Sequence, residues 1–336
     1  MGNFLRNYWY VGATSDELHN SPIGKTLLNE PVVFFRGKNG IAGALVDSCA
    51  HRLTPLSKGR IEGNTLECGY HGWAYNNLGK CVHLPGVENP KNIKIKSYPI
   101  QEKWGWVFIW MGNPSLASKT SLPDFHVMSE TKWVGDGSML KVNANCDLIR
   151  DNLLDLTHAK YTHRQTLATD EIDKVPVLAK KLKGKVTVER VMKDIRPSPF
   201  FSRTVGYKAN IIHRQKTEFT PACNIVIRLR GNSMPNSSEN LKNGFRVINA
   251  MTPETDTSTL YYWWLGRDFD QGNTKLTQWM KDGNARTFLE DKTILEAQQK
   301  NMLRNPEQRP IPSPVDKSIA LAETLTKELL LKETSH

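Results

Sequence analysis

Cys49-Ala-His51 is followed, after sixteen intervening residues, by Cys68-Gly-Tyr-His71. No other feature constrains the fold as tightly, because two short segments must converge before these side chains have any common chemistry. Each half offers one thiolate and one imidazole. Two loops held face to face could pinch a [2Fe-2S] cluster between them, with both cysteines on one iron and both histidines on the other. Neutral imidazoles raise the potential of such a cluster to roughly −150 to +300 mV, against about −400 mV for all-cysteine plant-type clusters. That range suits a relay that accepts electrons easily and passes them to a stronger oxidant. A structural zinc takes the same atoms in a tetrahedral shell. Zinc fingers, however, usually pair like with like, Cys-x-x-Cys and then His-x-x-x-His, whereas this chain alternates Cys and His in both halves.

The flanking residues sharpen the reading. Cys49-Ala-His51-Arg-Leu-Thr-Pro55-Leu-Ser-Lys-Gly59 and Cys68-Gly-Tyr-His71-Gly-Trp73 closely resemble the cluster loops of the Rieske non-haem iron oxygenases. The likeness includes the Arg after the first His and the Tyr-His-Gly-Trp run. Gly69 stands where that family often has Pro, and both are turn residues. Gly59, Gly69 and Gly72 allow backbone amides close to the sulfides, and such hydrogen bonds tune cluster potential.

The 336 residues leave room for two domains of about 150 residues each. The longest apolar stretch, Trp104–Met111, is far short of the ~20 residues a membrane helix needs. The N-terminal residues show no apolar segment before a small-residue cleavage site, so the expectation is a cytoplasmic protein without a membrane span. Five cysteines fit that compartment. With two assigned to the cluster, Cys81, Cys146 and Cys223 remain, an odd set with irregular spacing that forms no disulfide framework. They read as buried or half-buried thiols acting as small apolar residues. The net charge is +11, but the lysines are scattered and no nucleic-acid module is recognisable. The basic surface reads instead as a docking face for an acidic electron donor.

The first third of the chain alternates short strands and turns. Val32–Arg36 and Ile41–Val46 flank Gly37-Lys-Asn-Gly40 as a hairpin, and Trp104–Met111 reads as a buried strand. The Ser/Lys/Thr stretch after Asn113-Pro114 marks a boundary between domains at 1–118 and 119–336. Beyond it, Leu140–Asn145 reads as a strand and Asp147–His163 as a helix. Gln165–Lys185 reads as a long loop or lid. Strands follow at Lys185–Met192, Phe200–Ile212, Cys223–Arg230, Phe245–Met251 and Thr259–Gly266, with Gly231–Asn240 as a separator. Helices close the chain at Asn284–Met302 and Ile319–Leu331. A β domain followed by an antiparallel sheet with long helices is an α+β arrangement.

A second constellation lies in Asp151-Asn152-Leu-Leu-Asp155-Leu-Thr-His158-Ala-Lys-Tyr-Thr-His163. Asp151, Asp155 and His158 fall on one face of an ideal helix. His163 lies about 140° round from His158, so the imidazoles converge only if the helix ends or bulges. Asp155 is placed to orient a ligating histidine through its second nitrogen. Two histidines and one carboxylate are the ligand set of non-haem Fe(II) oxygenases. The carboxylate is expected from Asp291, which the sequence places in an apolar stripe with Phe288, Ile294 and Leu295; Glu290 is the next candidate.

This segment resembles the iron motif of the Rieske oxygenases, and Phe288-Leu-Glu-Asp291-Lys-Thr-Ile-Leu-Glu-Ala-Gln-Gln299 is similar to their C-terminal ligand helix. The resemblance covers nearly the whole chain. It looks closest to the group with a single-subunit oxygenase component that includes vanillate O-demethylase, dicamba O-demethylase and toluenesulfonate methyl-monooxygenase. What it implies is an N-terminal Rieske β-sandwich domain, a C-terminal helix-grip catalytic domain and a homotrimer. The cluster sits on Cys49, His51, Cys68 and His71, and Fe(II) on His158, His163 and Asp291. Electrons come from NAD(P)H through a separate flavin/iron–sulfur reductase or ferredoxin. Asp155 bridges between His71 of one subunit and His158 of the next. Dioxygen is used to oxidise a small aromatic acid. On a methoxy group, methyl hydroxylation gives a hemiacetal that loses formaldehyde, the net reaction being O-demethylation. A ring-hydroxylating dioxygenase forming cis-diols has the same metal sites. A plain Rieske electron carrier would need only the first motif, and a zinc-stabilised binding protein only its donor atoms. Arg228 and Arg230, with Asn224 and Val226 on one strand face, could receive a carboxylate or sulfonate, and Trp263, Trp264 and Trp279 could line a pocket.

Overall fold

The computed structural model describes residues 4–19, 21–88, 90, 92–167, 169, 171–172, 174–234 and 243–334. Two compact units emerge. One comprises the chain up to Pro123 together with Thr252–Asp256, the other Asp124–Met251 and the chain from Thr257 onward. No described helix is long and apolar enough to cross a membrane.

The first unit is built of short antiparallel strands in three small sheets. The expected hairpin is present as Glu30–Arg36 paired with Ala42–Val46. The strand expected over Trp104–Met111 begins later, at Trp106. Trp104 and Gly105 form the turn of a hairpin with Ile100–Lys103, at φ values of 57° and 75°. Two positive-φ residues match the twist of the flanking strands, yet tryptophan gives no sequence signal for that conformation. The third sheet, Arg60–Glu62, Thr65–Glu67, Ala74–Tyr75 and Cys81–His83, lies around the second Cys/His segment. Cys49 and Cys68 are buried in a core with Phe35, Leu45, Leu56, Leu66 and Tyr75.

The second unit is one antiparallel seven-stranded sheet. Its order is Val134–Val142, Ser258–Arg267, Gly244–Thr255, Asn224–Ser233, Ile211–Thr220, Lys185–Ile195 and Leu178–Leu182. Helix Cys146–Leu154 packs on the sheet and touches both the long helix Thr274–Arg304 and the last helix Lys317–Thr334. One apolar core joins them, with Ile149 and Leu153 against Phe219, Trp263, Phe288, Leu295 and Leu325. Each such side chain contributes about 1.5–3 kcal/mol by leaving water.

Five local readings change. The strand expected over Leu140–Asn145 is Val134–Val142 instead, and Asn145 caps the helix that follows, its side chain accepting from the Asp147 amide. Helix Asp147–His163 stops at Leu154; Asp155 caps it with extended backbone (φ −82°, ψ 106°) and a single helical turn follows at Ala159–Thr162. The strand expected over Phe200–Ile212 is a helix at Pro199–Val205, and the strand starts at Ile211. Its caps stand in the sequence: Ser198 accepts from the Phe201 amide, Pro199 opens the helix and Gly206 closes it at φ 77°, each residue type suited to its position. The C-terminal part of the loop expected over Gln165–Lys185 is an edge strand, Leu178–Leu182. Leu178 and Leu182 face solvent, so burial imposes no alternation there. Residues 168, 170 and 173 of that segment, and 235–240 of the separator Gly231–Asn240, lie outside the described residues. The long helix begins at Thr274, ten residues before the expected start, where Asn273 accepts from the Leu276 amide.

Ser198→Ala should lower stability by about 1 kcal/mol through loss of the cap, measured as a shift in the urea midpoint. An unchanged midpoint would mean the Ser198 contact (3.4 Å) is too weak to matter.

Candidate active site and cluster loops

In the first unit each Cys/His segment closes on itself through the main chain. Cys49 N donates to Thr54 O and Leu53 N to Cys49 O, both at 2.9 Å; Cys68 N donates to Trp73 O (2.8 Å) and Gly72 N to Cys68 O (3.0 Å). The cysteines are buried, while His51 and His71 are exposed. The two imidazoles lie 4.5 Å apart, and His51 stacks flat on Trp73 at 4.9 Å. Gly59 lets the segments approach: a Cβ there would meet Glu67 O at 2.0 Å. Burial raises the Cys49 pKa above its ordinary value, against hydrogen bonds from Tyr75 and the His51 backbone. Two buried cysteines and two adjacent, exposed imidazoles are a divided set of donors of the kind a two-iron cluster takes. A single ion would draw its ligand atoms into one shell. Among the described residues, groups of three potential ligands within 4.8 Å of one another occur at two places, neither in these loops.

In the second unit one of those groups is His158, His163 and Asp291. The single helical turn between the histidines makes this possible, since His158 caps one end and His163 the other. Their rings lie 5.2 Å apart at 77°. Asp291, on the long helix, is 6% exposed. Its Oδ1 lies 3.2 Å from His163 Nε2 and 3.7 Å from His158 Nε2, and accepts from Asn152 Nδ2 at 3.3 Å. Phe288 and Leu295 beside it are buried as expected, but Ile294 is 56% exposed.

The second nitrogen of each histidine is held from behind. His158 Nδ1 donates to the backbone carbonyl of Asp155 at 2.5 Å. His163 Nδ1 donates to Glu290 Oε2 at 2.7 Å. Each bond fixes the tautomer that leaves Nε2 with its lone pair toward Asp291. The orienting group on His158 is therefore main chain. The Asp155 carboxylate instead accepts from Thr157 N (2.7 Å) and Oγ1 (2.6 Å). Burial opposes protonation of His163, but hydrogen bonds and charge from Asp291, then Glu290, outweigh it and raise its pKa. Metal and proton would compete for this nitrogen. Two inward imidazoles and one carboxylate form a facial donor set that fits Fe(II) and leaves positions for other ligands.

A cavity of about 340 Å³ opens on this triad. Its walls are largely apolar: Leu153, Leu156, Phe200, Ile227, Leu229, Val247, Leu265, Trp279 and Phe288. Ile227 and Leu229 occupy the strand face opposite Arg228 and Arg230. Those arginines pair with Glu218 (3.8 Å) and Asp268 (2.9 Å) and do not line the cavity. Trp279 lines it, whereas Trp263 and Trp264 are buried elsewhere and are not among its lining residues. Two other arginines do line it, Arg203 and Arg286, and neither forms an ion pair among the described residues. Arg203 lies over the Trp279 ring at 4.5 Å. Asn284 Nδ2 and Thr166 Oγ1, from two more lining residues, are buried without a hydrogen-bond partner among the described residues. Sequence reasoning missed Arg203 because the helix that presents it reads as a strand. It missed Thr166 because that residue falls in the expected loop.

Residues 8–99 match the Rieske [2Fe-2S] domain and residues 142–331 the vanillate O-demethylase oxygenase C-terminal domain. The chain is 33% identical over 315 residues to a vanillate O-demethylase oxygenase subunit of a Pseudomonas species, covering 91% of this chain and 89% of that protein. It is 33% identical over 343 residues to the iron–sulfur subunit of the toluene-4-sulfonate monooxygenase system of Comamonas testosteroni, covering 98% of each. The crystal structure of dicamba monooxygenase bound to 3,6-dichlorosalicylic acid superposes with a TM-score of 0.94 at 27% identity, covering 100% of both chains. A Rieske β domain followed by an antiparallel sheet with helices is thus the shared architecture. The chain belongs to the Rieske oxygenases with a vanillate O-demethylase-type C-terminal domain, oxidoreductases that use dioxygen with a Rieske [2Fe-2S] cluster and a non-haem iron.

Proposed function

We propose that the chain is the oxygenase component of an NAD(P)H-dependent monooxygenase that O-demethylates a small aromatic acid or hydroxylates its methyl group. The observation that carries this is the cavity, which opens on His158, His163 and Asp291 and has apolar walls and two arginines without acidic partners among the described residues. In this reading residues 1–118 are the Rieske domain and 119–336 the catalytic domain. Cys49, His51, Cys68 and His71 hold the cluster, and His158, His163 and Asp291 hold the iron. The cluster, when bound, supplies electrons singly, and the iron activates dioxygen.

The chain's own side chains do the remaining work. The long helix sets the scale. Arg286 is a little over one turn before Asp291, Asn284 two turns and Trp279 more than three, about 18 Å along the axis. A single ring between Phe200 and Leu229 would keep its oxidisable carbon toward Asp291 and its carboxylate or sulfonate toward Arg286 and Asn284. Arg203 would reinforce the negative end. The apolar walls exclude water from the ring. The electron donor is a flavin/iron–sulfur reductase or ferredoxin, the assembly a homotrimer and the compartment the cytoplasm. Asp155 then joins its own His158, held by the Asp155 backbone carbonyl, to His71 of the partner subunit, which the Asp155 carboxylate would meet. Screening aromatic acids and sulfonates for substrate-dependent NADH use with a surrogate reductase tests the reading. Formaldehyde or a benzylic alcohol is the expected product; a cis-diol would make the enzyme a ring-hydroxylating dioxygenase.

Asp291→Ala or His158→Ala should keep the Rieske absorption spectrum and abolish turnover. Full activity in Asp291→Ala would move the third ligand elsewhere. Glu290→Ala should weaken iron binding roughly 10–100-fold, while Glu290→Gln, which retains an acceptor for His163 Nδ1, should stay close to the parent in iron titrations. Equal iron affinity in all three proteins would remove Glu290 from the site. Arg286→Ala should raise KM for the acid about 5–10-fold, as expected for loss of a partly solvated charged contact. KM for the corresponding neutral amide should be unmoved, and a parallel rise for both would contradict an anion contact at Arg286.

A further inference from the structure

The second group of close ligand atoms is Cys146, Asp147 and Cys223, and nothing in the oxygenase chemistry uses it. The Cys223 and Cys146 sulfurs lie 3.2 Å apart although 77 residues separate them in sequence. Both are free thiols. Cys146 is buried and opens the nine-residue helix Cys146–Leu154, whose last turn carries Asn152. Cys223 is half-buried, immediately precedes strand Asn224–Ser233 and has φ 60°, a conformation L residues rarely hold. A sulfur–sulfur bond is about 2.05 Å long, so a closing movement of about 1 Å would join the two.

We propose that Cys146 and Cys223 form a reversible dithiol–disulfide pair oxidised by hydrogen peroxide, with Cys223 reacting first and Cys146 resolving it. The division of labour follows exposure. Oxidants reach accessible thiols that stand beside a resolving cysteine, and Cys223 is the more exposed of the two. Cys146 stays a thiol, because its hydrogen bond with Cys223 and then burial raise its pKa. The Cys223 thiolate attacks one peroxide oxygen and the O–O bond breaks. Cys223 becomes a sulfenic acid, and the released hydroxide takes up the proton Cys223 gave up, forming water. The Cys146 sulfur then attacks the sulfenic sulfur. The S–S bond forms, the S–O bond breaks, and the Cys146 proton leaves with the hydroxyl as a second water. Two thiols lose two electrons and one peroxide gains them. An enzyme that reduces dioxygen is exposed to this oxidant whenever two electrons reach dioxygen without oxidising a substrate.

A soft metal ion is the competing occupant of the group. It is less suited, since Asp147 Oδ1 is taken by Arg150 at 2.6 Å and three donors fall short of the four of a structural zinc site. The test uses the whole holoenzyme, treated with hydrogen peroxide, blocked with N-ethylmaleimide and mapped by non-reducing peptide mass spectrometry. A Cys146–Cys223 cross-linked peptide, lighter by two hydrogens and released by dithiothreitol, is the expected result. In Cys146→Ser, Cys223 should be left as a sulfenic acid that dimedone traps, and in Cys223→Ser the cross-link should be lost. Peroxide-treated parent protein with both thiols still free, or with Cys223 trapped by dimedone in the presence of Cys146, would overturn the proposal. So would one equivalent of zinc in the isolated protein that is lost in either variant.

Discussion

A carboxylate buried to 6% exposure must be compensated where it sits, and Asp291 dictates the layout of the second unit. The groups around it are one donating amide, from Asn152, and two imidazoles, from His158 and His163, that would share a metal ion with it. All three come from one segment more than a hundred residues away in sequence. That segment can deliver them only by ending its helix at Leu154 and restarting for one turn at Ala159. The break has its own cause. The Asp155 carboxylate bonds the Thr157 amide and hydroxyl, a local alternative that competes with helix propagation. The sheet and the core around Phe288 and Leu295 then hold the long helix against this segment.

The meeting of His158, His163 and Asp291 was the legible part of the site. Cys, His and buried Asp are residue types with few substitutes at a metal, so their spacing speaks before any fold is known. The supporting contacts were not legible. His158 is oriented by a backbone carbonyl, which leaves no trace in residue identity. Glu290 carries a role that its neighbour's burial concealed. Consecutive helix positions point about 100° apart, and this lets Asp291 face Nε2 of His163 while Glu290 reaches Nδ1.

The sheet was legible where strands are almost wholly buried, as at Phe245–Met251 and Thr259–Gly266, and illegible where burial is partial, as along Ile211–Thr220 beyond Ile212. Leu178–Leu182 is an exposed edge. At Phe200–Ile212 the aromatic and β-branched composition favoured a strand, but Ser198, Pro199 and Gly206 are helix punctuation and prevailed. The strand Asn224–Ser233 shows a further limit. A period of two separates Ile227 and Leu229 from Arg228 and Arg230, but it does not say which face looks inward. Charge pointed to the arginines as a substrate contact, whereas Glu218 and Asp268 already engage them.

The long helix limits what the cavity can accept. The buried acid, the Asn284 amide and the aromatic face of Trp279 all belong to a single helix. Their separations are therefore fixed by helical rise, about 1.5 Å per residue, and not by loop conformation. A ligand anchored at Arg286 or Asn284 meets the triad only if its length matches one to two helical turns. A ligand anchored at Arg203, stacked on Trp279, must be longer to reach the same point. Because Ile227, Leu229 and Val247 close the opposite wall from neighbouring strands of the sheet, width is limited as rigidly as length. Selection among ligands that fit the cavity is then a matter of how far their anionic group lies from the end that meets the triad.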